Sequence, residues 1–197
     1  MLKEKLKDFN IILASASPRR HAFFKIMDLD FEIRLKPVEE TYSKDLKREE
    51  ITDFLAKLKA EPFLSDLKTN DILITSDTIV WLEDKPVEKP RDNDHAFRMI
   101  KSLSNTTHEV VTSICFTKKS EQNVVNTITK VTFKKLTDEE IWYYVNNYKP
   151  LDKAGAYGIQ EWIGAIAITS VEGSYNNVVG LPTHLLYETL INMVKAE

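Results

Sequence analysis

Six consecutive residues near the start of the chain, Ser15-Ala16-Ser17-Pro18-Arg19-Arg20, gather groups suited to holding an anion. Ser17 before Pro18 is a helix-start pattern, with serine at the N-cap and proline at the first helical position. The first turn then carries two arginines at the positive end of the helix dipole. Each costs roughly 0.3–1 kcal/mol there, which a bound anion would offset. Two hydroxyls (Ser15, Ser17) and two guanidinium forks (Arg19, Arg20) suit a polyphosphate. Two solvated arginines opening a surface helix are the plainer alternative.

Asp77 lies within Ile74-Thr75-Ser76-Asp77-Thr78-Ile79-Val80, a strongly apolar run. An ionised carboxylate inside such a strand costs several kcal/mol unless a cation or hydrogen bonds compensate it. A structural ion pair and a metal-holding role are both open for it. Glu39-Glu40 adds a second acidic element, and Lys59 and Lys89 add cations. Each is unremarkable alone. Together they resemble a metal-assisted phosphate site, with carboxylates on Mg²⁺ or Mn²⁺ and basic side chains on the remaining phosphate charge. In Asp152-Lys153-Ala154-Gly155-Ala156-Tyr157-Gly158-Ile159-Gln160, two glycines three apart allow close backbone approach to a planar ligand, and Gln160 offers both a donor and an acceptor. An ordinary loop feeding a strand would look the same.

Other chemistries are excluded by spacing. All five glycines lie at or after position 155, so the two common glycine-rich phosphate loops have no place earlier in the chain. The four histidines form no metal-binding spacing, and there is no G-x-S-x-G nucleophile elbow. The single cysteine, Cys115, sits in an apolar run and reads as a buried, inert thiol.

These groups must be positioned by a short strand at 11–14, a helix from Pro18 to Met27, and a strand at 31–35. A helix over 46–60 follows, with Ile51, Phe54, Leu55 and Leu58 on one face, then a strand over 72–81. Asp92 or Asp94 caps a helix ending near Leu103. Strands at 110–117 and 124–133 form a hairpin, and Thr137-Asp138-Glu139-Glu140 is a capping box opening a helix to Tyr148. Strands near 163–169 and 174–179 and a helix from Thr183 to about Lys195 complete the order. Without a strict βαβ rhythm, the expectation is an α/β (α+β-like) chain built on a mixed sheet flanked by helices.

The chain has 197 residues, 43% of them hydrophobic and 29% charged, enough for one large domain or a domain with two lobes. A net charge of −3 argues against a general nucleic-acid binder. No apolar run approaches the ~18 residues of a membrane span, and the apolar stretch before Ala14-Ser15-Ala16 is too short for a secretory leader. The expected location is the cytoplasm.

The blocks Leu13 to Arg20, Val38-Glu39-Glu40, Leu55 to Ala60, Ser76-Asp77-Thr78, Glu88-Lys89-Pro90, Leu103 to Thr112, Pro150 to Gln160 and Val179-Gly180-Leu181-Pro182 resemble, in order, the Maf-like nucleotide pyrophosphatases. The resemblance spans about residues 10 to 190. It implies a single domain of the ITPase-like or Maf fold, with an elongated sheet and two lobes around a central cleft. It also implies a cytoplasmic, usually dimeric enzyme that uses Mg²⁺ or Mn²⁺. Such enzymes cleave nucleoside triphosphates between the α- and β-phosphates to the monophosphate and pyrophosphate. In the family Asp77 would be the general base, while Glu40, Lys59 and Lys89 line the same cleft.

Arg19, Thr78 and Gln160 match the branch similar to dTTP/UTP pyrophosphatases, rather than the 7-methyl-GTP branch. Hydrolysis of 7-methyl-GTP or CTP, or a regulatory binding role in septum formation, are the alternatives. Three positions depart from the family pattern: Leu58 for glutamate, and Asn105 and Ser113 for glycines. Leu58 bears on metal affinity. The resulting expectation places the triphosphate at Ser15, Ser17, Arg19, Arg20, Lys59 and Lys89, and the metal at Glu40 and Asp77.

Overall fold

The computed structural model describes residues 1–194. In chain order the elements are α1 (Leu2–Lys5), β1 (Asn10–Leu13), α2 (Pro18–Ile26), β2 (Glu32–Ile33), α3 (Glu49–Ala60), β3 (Asp71–Leu82), β4 (Lys85–Val87), α4 (Asn93–Leu103), β5 (Thr107–Thr117), β6 (Gln122–Phe133), α5 (Asp138–Tyr148), α6 (Trp162–Ala167), β7 (Ile168–Glu172), α7 (Tyr175–Val179) and α8 (Thr183–Met193). Short 3-10 turns occupy Glu61–Asp66 and Ala154–Ala156. The sheet runs β2-β1-β3-β5-β6-β7, with β4 paired to β3. It is mixed: β1 is parallel to β2 and β3, whereas β3/β4 and β6/β7 are antiparallel.

The chain divides into two compact units. One comprises Met1–Asp77, Thr112–Thr127 and the chain from Gly180 onward; the other comprises Thr78–Val111 and Ile128–Val179. In the first unit, strand alternation sorts side chains between two layers. Ile11 and Leu13 of β1 and Ile72 and Ile74 of β3 pack with Phe24 of α2 and Leu190 of α8. Ile12 and Leu73 point the other way, onto Ala60 at the end of α3 and Phe63 of the following turn. Burial on both faces is why β1 and β3 read as continuous apolar runs. In the second unit, Phe97 of α4 stacks on Trp142 of α5 with ring centroids 4.6 Å apart. His108, Phe133 and Tyr157 form an edge-to-face trio at 5.0–5.4 Å.

Several local expectations hold. Pro18 opens α2 behind Ser17, and Asp92 caps α4 by accepting the His95 N–H at 2.7 Å. Thr137 and Glu140 complete the capping box of α5. Others are corrected. The strand expected at 31–35 is only Glu32–Ile33, exposed at both residues. The regions 163–169 and 174–179 are largely the short helices α6 and α7. Apolar runs this short do not separate strand from helix by periodicity. The missed signal was Ser174, whose hydroxyl accepts the Asn177 N–H at 3.3 Å and starts α7. The α3 stripe is Ile51, Thr52, Leu55, Ala56 and Ala60, while Phe54 is 42% exposed. Thr183 opens α8 as expected, and residue 195, its expected end, lies outside the described residues.

Candidate active site

In the first unit, β3 and α3 bring the acidic and basic candidates together. Asp77 falls on the same pleat face as Leu73 and Thr75, the face turned to α3. Its Oδ1 accepts from Lys59 Nζ at 2.6 Å, and the same ammonium lies 3.1 Å from Glu40 Oε2. The Asp77 side chain is 9% exposed, Lys59 20% and Glu40 45%, so the buried carboxylate is matched by a cation from a neighbouring element. Thr75 fixes the spacing of these elements: its buried hydroxyl donates to the Ala56 carbonyl of α3 at 2.6 Å. Ala56 is one helical turn before Lys59, and its small side chain lets the strand approach.

Arg20 joins the cluster from α2. Its Nε donates to the Gly180 carbonyl at 2.9 Å and its Nη1 to the Ser76 carbonyl at 2.8 Å, immediately before Asp77. Burial pushes the guanidinium pKa down to about 10, opposed by the charges of Asp77 and Glu40 and reinforced by Arg19. It therefore remains a cation at neutral pH. Arg20 thus ties three chain segments together as well as supplying charge.

Arg19 is half-buried in the first turn of α2, a turn without an acidic residue. Before that helix, the Ser15 hydroxyl accepts the Ser17 N–H at 3.2 Å, and His21 Nε2 bonds the Ser15 carbonyl at 2.6 Å. Ser17 is the N-cap residue, yet its hydroxyl makes no capping bond. Sequence reasoning passed over His21, whose spacing one turn beyond Ser17 was the available signal.

Two carboxylate oxygens on one ammonium form a donor set that fits a hard divalent cation, which takes oxygen ligands and commonly uses one or two carboxylates with substrate phosphates. Among the described residues, no group of three or more His, Cys, Asp or Glu gathers at one point. Protein ligands alone would therefore supply only part of a coordination shell.

The second unit carries the remaining candidates. Thr78, on β3, is half-buried, while Lys89 and Gln160 are exposed. Their segments meet: the Gly155 N–H donates to the Glu88 carbonyl at 3.1 Å. Gly155 has φ +69°, and a Cβ there would come within 2.9 Å of Val80 Cγ2, so glycine is required by conformation and by space.

The segment before Gln160 is fastened by a polar hub. Tyr144 of α5 donates to Glu161 Oε2 and accepts the Gly158 N–H at 3.0 Å. Lys153 Nζ lies 3.2 Å from Glu161 Oε1. One carboxylate thus holds both ends of the segment. Burial, reinforced by the neighbouring Glu161 carboxylate, raises the Tyr144 pKa and keeps the phenol a donor. His108 Nε2 bonds Tyr157 Oη at 2.8 Å below the same segment, and burial pushes its pKa down to about 4.

The departures also have local explanations. Asn105 has φ +62°, a left-handed conformation that asparagine tolerates where glycine is common. Ser113 is buried, and its hydroxyl lies 2.6 Å from both Asp53 Oδ1 and Thr52 Oγ1. Leu58 is half-buried on α3 beside Lys59 and brings no oxygen ligand.

The chain is similar to known proteins along nearly its whole length. The family described as Maf-like protein matches residues 10–193. A dTTP/UTP pyrophosphatase of Flavobacterium johnsoniae is 62% identical, covering 98% of this chain and all of that one. Its namesakes from Flavobacterium psychrophilum and Christiangramia forsetii are 59% and 58% identical, over 98% and all of both chains respectively. Among solved structures, the Staphylococcus aureus Ham1 protein shares the fold with a TM-score of 0.55 at 20% identity, over 93% of this chain and 99% of that one. The chain belongs to the Maf-like protein family.

Proposed function

We propose that the protein is a nucleoside triphosphate pyrophosphatase acting on dTTP and UTP. The observation that carries this reading is the Glu40–Lys59–Asp77 cluster beside Arg20, in a chain 62% identical to a dTTP/UTP pyrophosphatase. Water attacks the α-phosphorus, the bond to the bridging α–β oxygen breaks, and pyrophosphate leaves from the nucleoside monophosphate.

Asp77 orients that water and accepts its proton, its strand held by the Arg20 bond to the preceding carbonyl. Ser15, Ser17, Arg19, Lys59 and Lys89 bind the phosphates, and Arg20 contributes positive charge from its anchored position. Most of the acceleration comes from positioning and charge stabilisation. Glu40 and Asp77 would hold Mg²⁺ or Mn²⁺, which when bound supplies further neutralisation of phosphate charge.

Arg19, Thr78 and Gln160 set base selectivity. Uracil and thymine present two carbonyl acceptors flanking one N–H, a pattern that an amide such as Gln160 can complement. The whole chain serves as one functional domain. It works in the cytoplasm as a homodimer, without nucleic acid or membrane.

A panel of dTTP, UTP, CTP, GTP and 7-methyl-GTP, assayed in Mg²⁺ and in Mn²⁺, tests the reading. Preferred release of pyrophosphate with dTMP and UMP is expected. Equal rates on all five would defeat the base assignment, and nucleotide binding without turnover would defeat the enzymatic one. Light scattering tests the dimer.

A further inference from the structure

Lys59 stands where its charge has a second consequence, one that rests on the proposed function for the identity of the substrate. Its ammonium lies between Glu40 Oε2 at 3.1 Å and Asp77 Oδ1 at 2.6 Å, the two carboxylates suited to a divalent cation. Its side chain is only 20% exposed, and the backbone behind it is fixed by the Thr75 bond to the Ala56 carbonyl. Arg20 adds positive charge that acts on the same two carboxylates. Two cations, Lys59 and Arg20, thus balance the two carboxylates and oppose the approach of a free divalent ion. A triphosphate reverses that balance, giving Lys59 new oxygen partners and bringing ligands that complete the metal's shell.

We infer that Lys59 is a resident cation that keeps free divalent metal off Glu40 and Asp77, so that metal enters only together with the nucleotide. On entry, the ammonium exchanges the carboxylates for phosphate oxygens, and the carboxylates take the metal. No covalent bond changes in this exchange. The lysine couples metal binding to substrate binding through a single mobile charge, so removing that charge exposes a metal site in the nucleotide-free protein.

The test uses the full chain with Mn²⁺ alone and no nucleotide, so turnover plays no part. Bound Mn²⁺ is counted by electron paramagnetic resonance titration for wild type, Lys59→Met, Lys59→Gln and the double variant Lys59→Met/Glu40→Gln. Both single variants should bind Mn²⁺ at least about tenfold more tightly than wild type, because the competing charge is gone. Their melting temperatures should rise on adding Mn²⁺ while that of wild type stays fixed. The double variant should lose the gain.

Equal Mn²⁺ affinity in wild type and both single variants would overturn the inference, as would retention of the gain in the double variant. Tight saturable binding of Mn²⁺ to the nucleotide-free wild type overturns it by itself, whatever the folding of the variants. Failure of the substrate panel would remove the pyrophosphatase reading and leave these binding results interpretable.

Discussion

Asp77 and Lys59 form a partly buried ion pair to which the proposed function gives a chemical part as well. A charge 9% exposed is costly to bury without a partner, and Lys59 supplies one to Asp77 at 2.6 Å. The same contact fixes where the Asp77 carboxylate points, as the proposed role requires. Asp77→Asn keeps an oxygen for Lys59 and should fold, yet lose at least ~10²-fold in turnover by pyrophosphate release. Near-wild-type release would remove Asp77 from the mechanism. Arg20→Lys has a different signature, because lysine cannot reproduce the fork that reaches both Ser76 and Gly180. It should cost about 1–3 kcal/mol in urea unfolding as well as slowing turnover.

At the scale of elements, the site depends on which face of β3 meets α3. Thr75 and Asp77 share a face, and the Thr75 hydroxyl pins the helix one turn before Lys59. Thr75→Val should lower kcat several-fold with little change in KM, and Thr75→Ser should restore it; equal kcat in all three would make that hydroxyl merely structural. The clasp on the second unit's segment predicts a different split. Glu161→Gln weakens the Lys153 pair and the Tyr144 bond, so it should raise KM and narrow the preference of UTP over CTP while leaving kcat on saturating UTP nearly intact.

Much of this was legible in the sequence. Asp77 stood out as a lone acid in an apolar strand, and the Ser17-Pro18 start and the Thr137 capping box rest on local rules. On α3 the apolar Ile51 and Leu55 were legible too, but Thr52, Ala56 and Ala60, the helices α6 and α7, and the Tyr144–Glu161–Lys153 clasp were not. They depend on packing of small residues or on partners distant in the chain, which local periodicity does not record. Arg20 was read as a phosphate fork from charge alone, and its backbone ties to Ser76 and Gly180 required the fold.

At the scale of the whole molecule, the catalytic candidates divide between two compact units, with Asp77 closing the first segment of one and Thr78 opening the other. Unfolding should report a buried histidine within the second unit. His108 is held neutral because burial pushes its pKa down to about 4, against roughly 6.5 in the unfolded chain. Its contribution is fully present above pH 6.5 and is lost progressively as pH falls toward 4, where the unfolded state alone takes up the proton. About 3 kcal/mol is at stake across that window. Urea unfolding at pH 7.5 and 4.5 should show a smaller drop for His108→Gln than for wild type; equal drops would mean His108 does not control that window.

Attack of water on the α-phosphorus is tested most directly by the position of an isotope. Hydrolysis of UTP in ¹⁸O-labelled water, with both products analysed by mass spectrometry, should place one labelled oxygen in UMP and none in pyrophosphate. Label in pyrophosphate, or release of UDP and orthophosphate, would contradict the account.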